Sequence, residues 1–214
     1  MRQREFERTI SSFDGAESMR GEIYYRVLSL IDSGFVVEGH LLLLSTWNFA
    51  RFQYVIPSFD LSAYGALLQD LSGRLQPLLQ ADFASVHFDQ HREAISDSFD
   101  RLAAIRGIEC TGAAKVLHLL HPRVFIMWDR AISGWHTPKK DYYRLHVDRS
   151  GFWTPPNYPF ARSGIGYYDF LVYCQNRFNG LVSPSPRKTL AKCIDEFNYC
   201  TITKRLADLR RPLQ

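Results

Sequence analysis

The sequence predicts an all-α protein, and three observations carry that prediction. Apolar residues recur at three- and four-residue steps in one segment after another, the periodicity of a helix with one buried face. Turn-forming pairs and single prolines, Ser33-Gly34, Pro122 and Asn179-Gly180 among them, punctuate those segments as helix stops do. Only Tyr54-Val55-Ile56-Pro57 reads as a short extended piece, a strand fragment or a linker. A chain of 214 residues with 46% hydrophobic and 22% charged content can bury a sizeable core, which excludes a disordered protein.

Taken in order, residues 1–15 are polar and predict a loose arm with a turn at Asp14-Gly15. From Ala16 to Asp32, Met19, Ile23, Val27, Leu30 and Ile31 keep helical spacing up to the stop at Ser33-Gly34. Phe35 to Phe52 reads as a second helix, and its apolar middle, Leu41 to Leu44, places it in the interior. Trp47, Asn48 and Arg51 cluster at its end. These residue types can stack on a base, read its edge and pair with a phosphate; a packed tryptophan beside an exposed Asn and Arg is the other reading. Leu61 to Leu79 carries a leucine stripe that Pro77 bends or ends, and His91 to Ala104 forms the helix that delivers the chain to Gly107.

Everything else is organised around the stretch from Arg106 to Ile132. Gly107, with Gly112 soon after, opens a helix bearing Ala113, Ala114, Val116, Leu117, Leu119 and Leu120, which Pro122 stops. The run Val124-Phe125-Ile126-Met127-Trp128 then delivers one carboxylate, Asp129. An acid behind five bulky apolar residues is costly to bury unless it is paired or used. Asp129 therefore either caps a helix beginning Arg130-Ala131-Ile132 or does chemistry. Lys115 lies on the preceding helix and either reaches back toward that site or stays solvated along a nucleic-acid backbone. His118, among leucines, reads as a core histidine donating to a carbonyl.

Residues Gly134 to Gly166 mix Trp135, Tyr142, Trp153 and other rings with Lys139, Lys140 and several arginines. Basic groups interleaved with flat faces suit an unstacked strand or a flipped base, while a proline-rich excursion pinned by its own rings is the alternative. Tyr167 to Phe178 resumes helical spacing. The last helices, Arg187 through Arg211, set Lys188, Lys192 and Lys204 opposite Leu190, Ile194 and Phe197, which predicts a phosphate-facing or solvated flank interrupted by Asp195 and Glu196.

A net charge of +4 permits a nucleic-acid partner without demanding one. Cys110, Cys174, Cys193 and Cys200 form no C-x-x-C pair, so no metal or other cofactor is expected and the thiols fit a reducing, cytoplasmic setting. The charged start MRQREFERTI predicts no secretory leader, and the longest leucine run, 41 to 44, is far too short to span a membrane.

The central stretch resembles the helix-hairpin-helix, loop and aspartate segment of the HhH-GPD superfamily of DNA base-excision glycosylases, with Gly107 standing 22 positions before Asp129 as in endonuclease III-like members. About 27 of the 214 residues carry the resemblance. It implies a two-lobed helical fold, with lobes of about 16–105 plus 167–214, and 106–166, within one helical domain over 1–214. It also implies a DNA partner; taken with the residue chemistry above, the candidate DNA contacts are Gly107, Thr111, Gly112, Arg51, Lys139 and Lys140, and the candidate base pocket is Trp47, Asn48, Tyr142 and Trp153. Asp129 would stabilise positive charge on the sugar, with Lys115 as a second catalytic candidate.

Two positions depart from the family pattern. Glu109 stands where the hairpin's second glycine is usual, and a carboxylate there repels a phosphate. Thr111 stands 18 positions before Asp129, where bifunctional members carry a nucleophilic lysine, so hydrolysis without strand cleavage is implied. A helical nucleic-acid-binding module without chemistry, or a protein-interaction domain, remains the alternative reading.

Overall fold

Helices are the only regular elements in the computed structural model of the chain, which describes residues 1–135 and 158–204. In chain order they are α1 (Gln3–Ala16), α2 (Ser18–Asp32), α3 (Val36–Trp47), α4 (Phe49–Phe52), α5 (Leu61–Arg74), α6 (Arg92–Ala103), α7 (Glu109–Leu120), α8 (Gly164–Arg177) and α9 (Leu190–Asn198). Short 3₁₀ turns at Ile56–Ser58, Gln76–Leu78 and Phe88–His91 join them, and Tyr199–Lys204 continues α9 as a π-helical turn. Among the described residues no strand is present, so Tyr54–Pro57 is not a strand fragment; it leads into a 3₁₀ turn with Pro57 near its start.

The expected N-terminal arm is a helix instead. Phe6, Ile10 and Phe13 sit at steps of four and three and are all buried, so α1 does present an apolar stripe, one thinned by intervening polar residues. The Phe6 ring meets Phe178 at 5.9 Å and Phe197 at 5.6 Å, which docks α1 against α9. The segment 35–52 is likewise broken in two, because Asn48 leaves helical geometry between α3 and α4 and turns its side chain toward another element. In α5, the Asp60 side chain caps the Ala63 amide at 2.9 Å, and the helix ends before Pro77.

The core gathers around Trp128. Phe99 of α6 stacks on Tyr167 of α8 at 4.8 Å, and Trp128 packs against both rings and against Phe170 at 5.3 Å. The run Val124–Trp128 is fully buried yet pairs with no strand, so the His121 carbonyl takes its first two amides and side chains meet two of its carbonyls. Tyr167 Oη donates to Ile126 O at 2.8 Å, and His118 Nδ1 donates to Phe125 O at 2.6 Å. Tyr24 Oη donates in turn to His118 Nε2 at 2.8 Å, and burial drives this histidine down to about 3, so it is a neutral core histidine. A rigid rail thus carries the chain to Asp129. A smaller cluster, Tyr24, Val27, Leu43, Leu119 and Met127, packs α2 and α3 against α7.

The basic flank expected at the C-terminal end is split where it is described: Lys204 keeps an exposed side chain 3.6 Å from Glu17, whereas Lys188 and Lys192 turn inward. Lys188 and Lys192 are buried: Lys192 Nζ meets Asp195 Oδ2 at 2.8 Å and Glu196 Oε1 at 3.3 Å, and Lys188 Nζ bridges Asp14 and Glu196. Carboxylates read as interruptions of a cationic face are in fact the reason those lysines can be inside.

Candidate active site

Geometry at the start of α7 follows from its turn. Gly107 has φ +88, and a Cβ there would lie 2.3 Å from Val55 Cγ2, so both conformation and space require glycine. Glu109, at the place of a second hairpin glycine, also takes a left-handed conformation, φ +51. Its carboxylate is answered by Arg51 at 3.7 Å and Arg130 at 4.0 Å, so it does not stand bare at the turn. Asn48, expected to read a base, instead donates from Nδ2 to Gly107 O at 2.8 Å and Ile108 O at 3.2 Å. Gly112 lets that side chain and α3 come close, since a Cβ would sit 3.0 Å from Asn48 Nδ2 and 3.3 Å from Leu44 Cδ2. Of the expected DNA contacts, Gly107 and Gly112 are buried, Thr111 is half-buried and Arg51 is exposed.

Barely a turn further along α7 the surroundings change. A cavity of about 290 Å³ opens where α1, α2, α3, α7 and α9 meet the end of the Trp128 rail. Asp129, Lys115 and Trp47, three of the residues singled out in the sequence, line it together. Asp129 divides its oxygens. Oδ1 accepts from the amides of Ala131 at 2.8 Å and Ile132 at 2.9 Å, while Oδ2 accepts from Thr203 Oγ1 at 2.6 Å. Capping and orientation into a cavity, opposed in the sequence reading, coexist because they use different atoms. The turn it caps runs through residues 130–135, and Ser133 Oγ donates back to Asp129 O at 2.8 Å.

Lys115 is 7% exposed, and Nζ donates to Trp47 O at 2.6 Å. No carboxylate lies within ion-pair distance of it among the described residues. Burial lowers its pKa to about 8, with Asp129 and Asp195 pulling the other way. Trp47 is a fixed wall: Tyr24 stacks on it at 6.2 Å, and Lys192 Nζ lies 5.2 Å from its ring centre. Lys192 is pushed down by burial, but Asp195 and Glu196 outweigh this and hold it above the usual lysine value.

Arg20, Tyr199 and Thr203 also line the cavity and were not picked out in the sequence, and Lys192 and Asp195, read there as parts of a basic flank, line it too. One signal was available: Lys192 and Asp195 stand three apart, the spacing of an intrahelical ion pair. Tyr199 and Thr203 had none, since a π-helical turn brings them to the cavity and its wider winding leaves no periodic trace. Tyr142, Trp153, Lys139 and Lys140 lie outside the described residues. No group of three or more His, Cys, Asp or Glu side chains suited to a metal occurs among the described residues. No helix there is long and apolar enough to cross a membrane.

Comparison with protein families, characterised proteins and solved structures finds no match to this chain. The functional reading therefore rests on the chemistry of the cavity.

Proposed function

We propose that the chain is a monofunctional DNA glycosylase, a hydrolase that cleaves the N-glycosidic bond of a damaged or modified base turned out of the duplex into this cavity. The observation that carries the reading is the placement of Asp129. One oxygen is fixed on two backbone amides, and the other is held by Thr203 inside a half-enclosed hollow beside Trp47 and Lys115. A carboxylate oriented in advance, in surroundings drier than bulk water, stabilises a cationic sugar without reorganising as the bond breaks.

Chemistry follows from that arrangement. As the bond between C1′ and the base nitrogen lengthens, positive charge grows on the sugar, and Asp129 Oδ2 faces it across the cavity. A water molecule adds to C1′ and passes its proton to the carboxylate, while the base departs with the electron pair of the broken bond. The tight turn between α6 and α7 supports a duplex lying across the start of α7, with Arg51 and Arg130 as cations near it. Neutralisation of Glu109 by those arginines reduces the repulsion a lone carboxylate would present to a phosphate.

Duplex oligonucleotides carrying a panel of modified bases, treated with hot alkali after incubation, test the reading. Alkali-sensitive abasic sites from at least one base, absent with Asp129→Asn, are the expected result. Salt-sensitive DNA binding that survives Asp129→Asn with no abasic product from any base overturns it, in favour of a binding module without chemistry.

A further inference from the structure

The polar groups lining the cavity are unequally occupied. Thr46 Oγ1 donates back to Leu42 O at 2.8 Å, Trp128 Nε1 to Cys110 O at 3.1 Å, and Thr203 Oγ1 to Asp129. Arg20 is paired with Glu17 at 3.3 Å, and Lys192 with Asp195 and Glu196. Both carboxylates of the lining, Asp129 and Asp195, already hold donors. Lys115 is left under-partnered, and the wall beside it holds a second unmet donor. The Lys115 ammonium has Trp47 O as its one hydrogen-bond partner among the described residues, and the buried Trp47 Nε1–H has none. An ammonium carries three N–H groups and no acceptor, so a buried one with a single partner calls for acceptor atoms from outside the chain.

We infer that the cavity selects a base bearing a ring carbonyl where its amino counterpart bears an exocyclic amine, and that Lys115 donates to that oxygen as the base leaves. The inference rests on the glycosylase reading and names the substrate class within it. When the C1′–N bond breaks, its electron pair moves into the ring and onto the carbonyl oxygen. The Lys115 N–H donates to that oxygen and neutralises it, water adds to C1′ with its proton going to Asp129, and solvent reprotonates the amine. An exocyclic amine at the same place would set N–H against N–H, leaving the buried ammonium with Trp47 O alone and its other N–H groups unmet, and discrimination of this kind is strong because an unmet buried donor is costly.

Ring-matched pairs test the inference: uracil against cytosine and hypoxanthine against adenine, each at the same position of one duplex. Two readouts are taken. The first is abasic-site formation. The second is binding of duplexes whose target nucleotide carries a 2′-fluorine, which resists bond cleavage and so reports the cavity's preference without the reaction. At least a tenfold preference for the oxo base in one pair is expected in both readouts. It should disappear in Lys115→Met and be partly restored in Lys115→Arg, which keeps the donors. The melting midpoint of Lys115→Met should rise, a shift that loss of a merely structural lysine would not give. Equal handling of oxo and amino bases, or a preference that Lys115→Met leaves intact, overturns the inference. A preference in the binding readout with no excision of any base overturns the glycosylase reading, and with it the leaving-group role, but retains the selectivity of the cavity.

Discussion

At its first turn α7 meets the glycine hairpin, and little more than a turn later it reaches the cavity; the two places treat polar groups in opposite ways. Around the hairpin polar groups are drawn into pairs: Asn48 holds two carbonyls, the Cys110 carbonyl takes the Trp128 indole, and Glu109 sits between Arg51 and Arg130. In the cavity, Lys115 carries a buried positive charge on one carbonyl, and the Trp47 indole N–H is buried with no partner among the described residues. A fold gains nothing from an under-partnered buried ammonium, which raises the energy of the native state until a ligand meets it. The hairpin is built for stability, and the cavity keeps the cost that binding relieves.

Substitutions at each place should separate those roles. The largest effect belongs to Asp129→Asn, which keeps an oxygen for the Ala131 and Ile132 amides but removes the charge. Excision should fall on the order of 10²–10³-fold with the urea midpoint nearly unchanged, as single-turnover kinetics and equilibrium unfolding would show. A variant that unfolds instead would place this aspartate with the hairpin rather than with the chemistry.

Gly107→Ala should act on stability alone. Its φ of +88 and the 2.3 Å approach of Val55 Cγ2 mean both backbone strain and a clash. A loss of about 2–4 kcal/mol in urea unfolding is expected from strain and overpacking together. Little change there would show that the hairpin is slack.

Lys115→Met should have the opposite sign, stabilising the fold by about 1–3 kcal/mol at pH 7. The folded pKa, about 8, lies below the ordinary lysine value, so burial of the charge destabilises the native state at every pH below about 8. Between that value and about 10.4 the unfolded chain binds the proton and the native chain does not, so wild-type stability rises with pH and the advantage of Met shrinks. Arg20, Asp129, Asp195, Lys192 and Tyr199 line the same cavity, so the same titration in Asp129→Asn calibrates their share. An advantage that does not change from pH 7 to 10 would remove the buried charge as its cause.

Asn48→Ala should cost about 1–3 kcal/mol by leaving the Gly107 and Ile108 carbonyls without their donor. The smallest change is Glu109→Gly, expected to gain about 1 kcal/mol by relieving a left-handed backbone. It should also strengthen DNA binding at low salt by freeing Arg51 and Arg130, read from the salt dependence of the dissociation constant.

Much of this was written in the sequence, because helices announce themselves locally. The spacing of apolar residues over 16–32 and 61–79, the stop at Ser33-Gly34, the turn at Gly107 and the buried run up to Asp129 depend on neighbours within a few positions. They could be read without the fold. What failed was partly long-range in origin: α1 was missed because two buried rings and one isoleucine among charges make a thin stripe, and its burial depends on α9 far along the chain.

The sequence by itself determined an all-helical chain, a glycine-dependent turn and one carboxylate delivered by an apolar run. Tertiary structure alone decided which oxygen of Asp129 caps and which faces the cavity, that Asn48 serves the hairpin, and that Lys115, Lys192 and Asp195 gather in one hollow. The reason is range. Periodicity and turn chemistry act between residues a few positions apart, whereas burial and the partnering of charges are set by groups some 75 positions away, as Thr203 is from Asp129.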